Sequence, residues 1–278
     1  MIFVYKKWEK FCKELSKNGL YSITAKNYIN AYSDERAFVL KHDVETNPKN
    51  ALEMAKIEHK YGHKGSYYVQ SYLLEKEDNI SVLKEIQNLG HEVTYHHDVM
   101  DSNKGDIEKA LVEFEENIEL FQKNGFEVTT VCQHGNPVVE RIGYTSNRDF
   151  FRNPKVFEKY SYIFDIMVNY PKITIKYDYY SDAGRKFNLI YDPVNNDIIK
   201  SDDKNKPYKN LDVLCDELLK SKNNFIISTH PHRWMTSSLK YIFKDLVFKT
   251  VKFIAKLFMQ IPFFKKIMSK YYYLAKKI

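Results

Sequence analysis

Histidines and carboxylates cluster where apolar runs of this sequence end. The stretch "VLKHDVETNPKN", residues 39–50, places His42, Asp43 and Glu45 at the point where a hydrophobic run stops. The same arrangement recurs after four later runs, which end in His96, His97 and Asp98, in His134 and Asn136, in Asp182 and Arg185, and in His230, His232, Arg233 and Trp234. Two carboxylates with one or more imidazoles suit a divalent metal, which polarises a carbonyl and lowers the pKa of a bound water to about 7. The residue types therefore indicate a metal site that activates water.

Some of these residues also have an ordinary structural interpretation. The first cluster can be a solvated turn that caps the next helix, and His42 can be a satisfied core histidine. Asp182 lies in "SDAG" and can be a plain turn residue. Asp43, His96 and His230 are the residues that these interpretations explain least well.

The predicted elements that carry these residues alternate between strand and helix. In the first half the sequence predicts strands at 38–43, 65–70, 91–96 and 126–135, and helices at 8–17, 47–62, 79–90 and 105–125. In the second half it predicts strands at 162–170, 173–180 and 224–231, and a helix at 210–223. Alternation of this kind favours parallel strands with helical crossovers, in an α/β layer or barrel. The carboxyl ends of such strands share one face, so the scattered histidines and carboxylates are expected to converge there.

Composition bounds the class of protein. The chain has 278 residues, 44% hydrophobic and 28% charged, which suits a globular protein with a sizeable core. Three cysteines far apart favour a reducing compartment, and the short apolar start before the first lysine does not resemble a signal peptide, so we expect a cytoplasmic protein. The net charge of +7 is uneven, because residues 235–278 carry ten lysines and one acid. That local basic segment is not typical of a nucleic-acid-binding domain, and no nucleic acid is expected as a partner.

Four segments together resemble the polysaccharide deacetylase, or NodB-homology, family (carbohydrate esterase family 4 and its divergent relatives). They are "LKHDVE", "GHEVTYHHD", "YYSDAGRKF" and "FIISTHPHRW", and the likeness spans about residues 36–234. The resemblance implies a distorted (β/α) barrel with an incomplete ring. It also implies a reaction that removes an acetyl group from an N-acetylated sugar or glycan, with a divalent metal, zinc by expectation, as cofactor.

The resemblance implies a role for each matching residue. Asp43 is similar to the family's catalytic base and Glu45 to its metal-binding acid, while His96 is similar to its first metal-binding histidine. His230 is similar to the general acid that protonates the leaving amine. The remaining candidates are expected to contact substrate or orient the base, and they are His42, His97, His134, Asp182, Arg185 and Trp234.

The chain departs from the family pattern at the metal. The family's second metal-binding histidine follows the first by four residues, where this chain has Met100. Asp98 is our expected third ligand, with His97 and Asp101 as alternatives. The family's arginine-proline motif is replaced by "QHGNP", so His134 is expected to act in the cleft, and Arg185 is expected to orient Asp43.

The C-terminal segment differs from the barrel. We expect a barrel over residues 1–236 and a basic amphipathic helical tail over 237–278, in which lysines face one way and Phe, Leu and Ile the other. The tail suits an anionic membrane surface, at the inner face of the membrane, or a helix pair packed on the barrel. Two further functions remain open: hydrolysis of another small amide, and a catalytically inactive barrel that binds carbohydrate at a membrane surface.

Overall fold

The computed structural model describes residues 2–30, 36–136, 139–169, 177–183, 187–192, 197–198 and 207–258. Its strands are β1 Ser22–Ile23, β2 Phe38–Val44, β3 Gly65–Val69, β4 Glu92–His97, β5 Thr130–Gln133, β6 Phe164–Asp165, β7 Tyr177–Ser181, β8 Asn188–Asp192, β9 Asp197–Ile198 and β10 Asn224–Thr229. They form one sheet in the order β6-β5-β4-β3-β2-β10-β7-β8-β9, and β1 pairs with the first residues of β2. The seven strands from β6 to β7 are parallel, and β8 and β9 continue the sheet antiparallel.

The sheet curls into a half-barrel whose ring stays open. Its two ends among the described strands are β6 and β9, which do not pair with each other. The predicted (β/α) barrel with an incomplete ring is therefore confirmed. Antiparallel β8 and β9 were not predicted.

Helices surround the parallel strands. They are α1 Tyr5–Lys17, α2 Ala25–Asn30, α3 Pro48–Lys60, α4 Glu77–Asn88, α5 Val99–Ser102, α6 Ile107–Lys123, α7 Asp149–Arg152, α8 Pro154–Lys159, α9 Leu211–Lys220 and α10 Ser238–Phe258, with short 3₁₀ turns at Ser71–Glu75 and Pro231–Arg233. Helix α3 starts as predicted, because the Asn47 side chain accepts a hydrogen bond from Lys49 N and Pro48 occupies the first turn. No helix of the described residues is both long and apolar enough to cross a bilayer.

The predicted strand at 162–170 is wrong in length. Only Phe164–Asp165 pair with the sheet, and a turn follows. Asp165 causes this turn, because its Oδ1 accepts a hydrogen bond from Met167 N at 2.7 Å while its own N–H donates to Asn169 Oδ1 at 2.6 Å. The first residues of the predicted strand at 173–180 lie outside the described part of the chain.

The central strand β2 is buried along its whole length. All seven residues are buried, which is expected for a parallel strand covered on both faces. Three of the seven are Lys41, His42 and Asp43, and buried ionisable groups of this kind require partners. The partners on the two faces of β2 differ, and this difference decides where chemistry can occur. The domain boundary at residue 236 stays a prediction.

Candidate active site

A buried ion pair holds the first candidate carboxylate. Lys41 and Asp43 are two residues apart on β2, so their side chains lie on the same face. Lys41 Nζ is 2.5 Å from Asp43 Oδ1 and 3.2 Å from Ser228 Oγ. Burial would raise the pKa of Asp43, but the charge of Lys41, aided by His96 and His230, outweighs burial and lowers it to about 2. Asp43 is therefore ionised at neutral pH.

Lys41 does what we expected of Arg185, which lies outside the described residues. Burial would lower the pKa of Lys41, but the Asp43 carboxylate outweighs it, and the pKa is raised well above its usual value. Sequence reasoning missed this residue. The available signal was a lysine inside an otherwise apolar strand, two residues before an acid.

Glu45, His96 and His134 form a compact ligand group beside this pair. Their nearest ligand atoms all lie within 4.8 Å of one another. His134 Nδ1 is 3.2 Å from Glu45 Oε1 and 3.2 Å from His96 Nε2. Ligand atoms that share a metal at about 2.1 Å lie roughly 3.0–3.4 Å apart, so this spacing fits a divalent ion.

The protonation state of His96 also fits a metal. His96 Nδ1 lies 3.0 Å from the Cys132 carbonyl oxygen, so Nδ1 carries the hydrogen and the Nε2 lone pair faces the group. Burial lowers the pKa of His96 to about 3, which keeps the ring neutral. Burial would raise the pKa of Glu45, but the hydrogen bond from His134 and the charge of His230 bring it well below its usual value. One carboxylate and two imidazoles are a donor set that suits zinc.

A second group of three, Asp43, His96 and Cys132, overlaps the first. Burial raises the pKa of the Cys132 thiol well above its usual value, more than Lys41 lowers it. Because the thiolate is the form that binds a metal, a protonated thiol is a poor ligand. The group of Glu45, His96 and His134 is therefore the better candidate.

His230 completes the site from the end of β10. Its Nδ1 donates to Asp182 Oδ1 at 2.5 Å, and its backbone N–H donates to Asp182 Oδ2 at 3.0 Å. Its Nε2 then faces the other carboxylates, 3.7 Å from Asp43 Oδ2 and 3.8 Å from Glu45 Oε1. The side chains of Glu45 and His230 are 21% and 12% exposed, so the site opens to solvent at this edge.

Asp182 is a positioning residue for His230. We expected it to contact substrate, and its complete burial corrects that expectation. Arg233 Nη1 donates to Asp182 Oδ1 at 3.0 Å. Burial would raise the pKa of Asp182, but the charges of His230 and Arg233 outweigh burial and lower it. The ionised carboxylate fixes the tautomer and the orientation of the imidazole.

His134 occupies the place in the ligand group that we expected Asp98 to fill. Asp98 immediately precedes α5 and belongs to neither of the two ligand groups that the described residues form. Asp101 is not a ligand either, because the Arg141 guanidinium binds both of its oxygens at 2.8 Å. Asn147 donates to Asp101 Oδ2 and to the His134 carbonyl oxygen, and so anchors the loop that carries His134.

Three further candidates do not reach the site, which corrects their expected contact with substrate. His42 is fully buried on the opposite face of β2, with Nδ1 2.6 Å from Thr229 Oγ1. His97 is fully buried, with Nε2 3.0 Å from Asp165 Oδ2. Trp234 is 1% exposed and packs on Phe3, so it has no face to offer to a sugar. Strand alternation explains the two histidines, since each adjoins a site residue in sequence but points to the other side.

Comparisons with known proteins add little to this geometry. No protein-family model matches the chain, and no curated protein sequence matches it. Among solved structures, the chain is similar to a variant of peptidoglycan deacetylase PdaC from Bacillus subtilis, with a TM-score of 0.37 and 13% identity, covering 79% of this chain and 96% of that chain. A likeness this weak assigns no role to any residue described above.

Proposed function

We propose that this protein is a metal-dependent hydrolase that removes an N-acetyl group from a glycan or sugar precursor. The observation that carries the proposal is the convergence of an ionised base, an oriented imidazole and a ligand group on one opening. Asp43 Oδ2 and Glu45 Oε1 lie 3.7 and 3.8 Å from His230 Nε2, and Glu45 Oε1 lies 3.2 Å from His134 Nδ1. The motif resemblance supports the choice of an N-acetylated sugar as substrate.

The ligand group and the base have separate roles in the first half of the reaction, the attack of water on the acetyl carbonyl. A divalent cation, zinc by the donor set, would be held by Glu45, His96 and His134 and would polarise the acetyl carbonyl and acidify a water. Asp43 takes the proton of the attacking water through Oδ2, since Lys41 occupies Oδ1. Lys41 keeps the carboxylate ionised and fixed, so that it is ready to accept this proton.

His230 acts in the second half of the reaction, when the C–N bond breaks. Asp182 holds the Nδ1 hydrogen, so Nε2 is the atom that exchanges a proton with substrate. The protonated ring donates from Nε2 to the amide nitrogen as the C–N bond breaks, and the products are acetate and the free amine. The buried Asp182 carboxylate offsets the positive charge of the protonated ring.

The test joins metal content to acetate release. We expect tag-free protein to hold about one divalent cation per chain by mass spectrometry, and to release acetate from N-acetylated oligosaccharides. His134→Ala should lose the cation and the activity, whereas Asp98→Asn, the matched control, should keep both. Protein that holds no cation after soaking with zinc would sink the hydrolase proposal. Loss of the cation in Asp98→Asn, with His134→Ala intact, would return the third ligand to Asp98.

A further inference from the structure

Helix α10 turns an apolar arc to solvent. The exposed residues on this arc are large and hydrophobic, and they are Leu239, Ile242, Phe243, Leu246, Val247 and Phe253. At 100° per residue they fall within about 140° of the helix circumference. Leu239 is 80% exposed and Phe243 71%. An uncovered apolar surface of this size on one helix marks a site of interaction.

Among the described residues, the body of the protein contacts α10 near its first turns and does not cover the arc. Tyr241 is 3% exposed and packs edge-to-face on Phe3, with ring centroids 5.8 Å apart. Lys244 Nζ is 3.4 Å from the His232 carbonyl oxygen. Tyr241 is on the side of the helix away from the arc, so the arc points outward from the barrel. The alternative of a tail packed on the barrel by its apolar face does not fit the described residues of α10.

Lysines border the arc on both sides. Lys240 and Lys244 follow one edge and Lys249 lies at the other, all exposed. The sole acid of residues 235–278, Asp245, lies outside the arc and pairs with Lys249 at 2.8 Å. The ten lysines of this segment contrast with the rest of the chain, where acids slightly outnumber Lys and Arg. The charge therefore complements an anionic surface.

We propose that α10 is an interfacial helix that docks the protein on an anionic lipid surface. The apolar arc would enter the boundary between headgroups and acyl chains, while the flanking lysines pair with anionic headgroups. A protein partner would need a matching apolar groove, whereas a lipid surface accepts an arc bordered by cations on both sides. Lys244 at the edge of the arc lies 3.4 Å from the carbonyl oxygen of His232, two residues after His230, so docking would bring the loop that carries His230 towards the headgroups.

Vesicle binding by the full-length protein tests this proposal. We expect co-sedimentation with vesicles that contain phosphatidylglycerol, weaker binding at high salt, and little binding to pure phosphatidylcholine. Phe243→Ser with Leu246→Ser should lower the partition coefficient about tenfold or more, since two large apolar side chains leave the lipid. Val112→Ser with Ile142→Ser removes exposed apolar residues elsewhere and should change nothing. Lys240→Gln with Lys244→Gln should weaken binding to the anionic vesicles alone.

Three results would overturn the proposal. Folded parent protein that stays in the supernatant with both vesicle types would exclude a lipid-binding helix. Equal binding to both lipids, insensitive to salt, would remove the role of the lysines. A dimer in solution that Phe243→Ser with Leu246→Ser dissociates, without vesicle binding, would assign the arc to a second copy of the chain. Circular dichroism of each variant checks that the fold is retained.

Discussion

Two histidine–carboxylate clusters lie on opposite faces of β2 and have different roles. We call them the open cluster, made of Asp43, Glu45, His96, His134 and His230, and the closed cluster, made of Trp8, His42, Glu58, Tyr67 and His91. His42 and Asp43 are neighbours in sequence, yet each belongs to a different cluster because successive side chains of a strand point to opposite faces. Both clusters contain imidazoles and carboxylates, so the presence of these groups alone does not separate them.

The carboxylate of the closed cluster is saturated. Glu58 Oε1 lies 3.0 Å from both Trp8 Nε1 and His42 Nε2, and Oε2 accepts from the Tyr67 hydroxyl at 2.8 Å. The Glu58 side chain is fully buried. Burial would raise its pKa, but the charge of His42 outweighs burial and lowers it. Every acceptor of this carboxylate is in use and water has no access, so the cluster can stabilise the fold but cannot bind a ligand.

The open cluster lacks such saturation. Asp43 Oδ2 faces His230 Nε2 only at 3.7 Å, which is beyond hydrogen-bond distance. Buried His134 Nε2 has no hydrogen-bond partner among the described residues, as is also true of His42 Nε2 in the closed cluster, but His134 lies 3.2 Å from Glu45, whose side chain is partly exposed. Glu45 and His230 reach solvent, so a ligand can enter. A candidate active site is therefore marked by unused hydrogen-bonding or ligand atoms beside an opening to solvent, more than by the presence of histidines and acids.

The largest expected effect is on the rate of acetate release, and it follows from a change in the open cluster. His230→Gln should lower kcat for acetate release by about 10²–10⁴-fold, because no group remains at Nε2 to protonate the leaving nitrogen. Its thermal midpoint should change little, since Asp182 keeps its contact with Arg233. His232→Gln, the same change two residues further along the chain, is the control and should keep most of the rate. Steady-state kinetics and a melting curve of each variant decide the matter, and an equal loss in both variants would contradict the assigned role.

The second effect concerns stability and belongs to the closed cluster. Glu58→Gln should lower the free energy of unfolding by about 1–3 kcal/mol, because the amide nitrogen that replaces one carboxylate oxygen cannot accept a hydrogen bond from Trp8 or Tyr67. The rate of the protein that remains folded should equal that of the parent. Glu53→Gln, on the exposed side of the same helix, should alter neither quantity. Urea unfolding gives the free energies, and a rate loss without a stability loss would move Glu58 into the active site.

The sequence predicted where the site residues converge better than it predicted which face of the sheet each side chain occupies. Asp43, Glu45, His96 and His230 converge as expected, because the carboxyl ends of parallel strands share one edge of the sheet. The error at His42 was avoidable, since it needed only the alternation of β2. A lysine two residues before Asp43 was likewise visible in the sequence, and its side chain had to share the face of that acid.

The third ligand was beyond the reach of sequence reasoning. Asp98 and His134 both follow strands, and their types do not decide between them. The choice depends on the loop after β5, which Asp101, Arg141 and Asn147 hold by contacts between residues about 40 positions apart. Such contacts form only in the folded chain, so no local pattern reports them.

The smallest expected effect is a pH dependence of stability that comes from the closed cluster. His91 Nδ1 accepts from the Gly65 N–H at 2.9 Å and Nε2 donates to the Ala55 carbonyl oxygen at 3.0 Å, so the neutral ring is satisfied and a second ring proton would face an N–H group. Burial lowers the pKa of His91 from 6.5 to about 4. The unfolded chain therefore binds this proton first as the pH falls. The stabilising contribution is complete above pH 6.5 and is lost progressively below it.

This loss of stability should be measurable one pH unit below 6.5, the ordinary pKa of histidine. Lowering the pH from about 6.5 to about 5.5 should cost about 1 kcal/mol of unfolding free energy through His91. His91→Asn keeps an acceptor for Gly65 and has nothing to protonate, so its unfolding free energy should fall less over the same interval. His59→Asn, at an exposed position, should retain the slope of the parent. Urea unfolding across this pH range tests the difference, and parallel curves for His91→Asn and the parent would show that the closed cluster accommodates the charged ring.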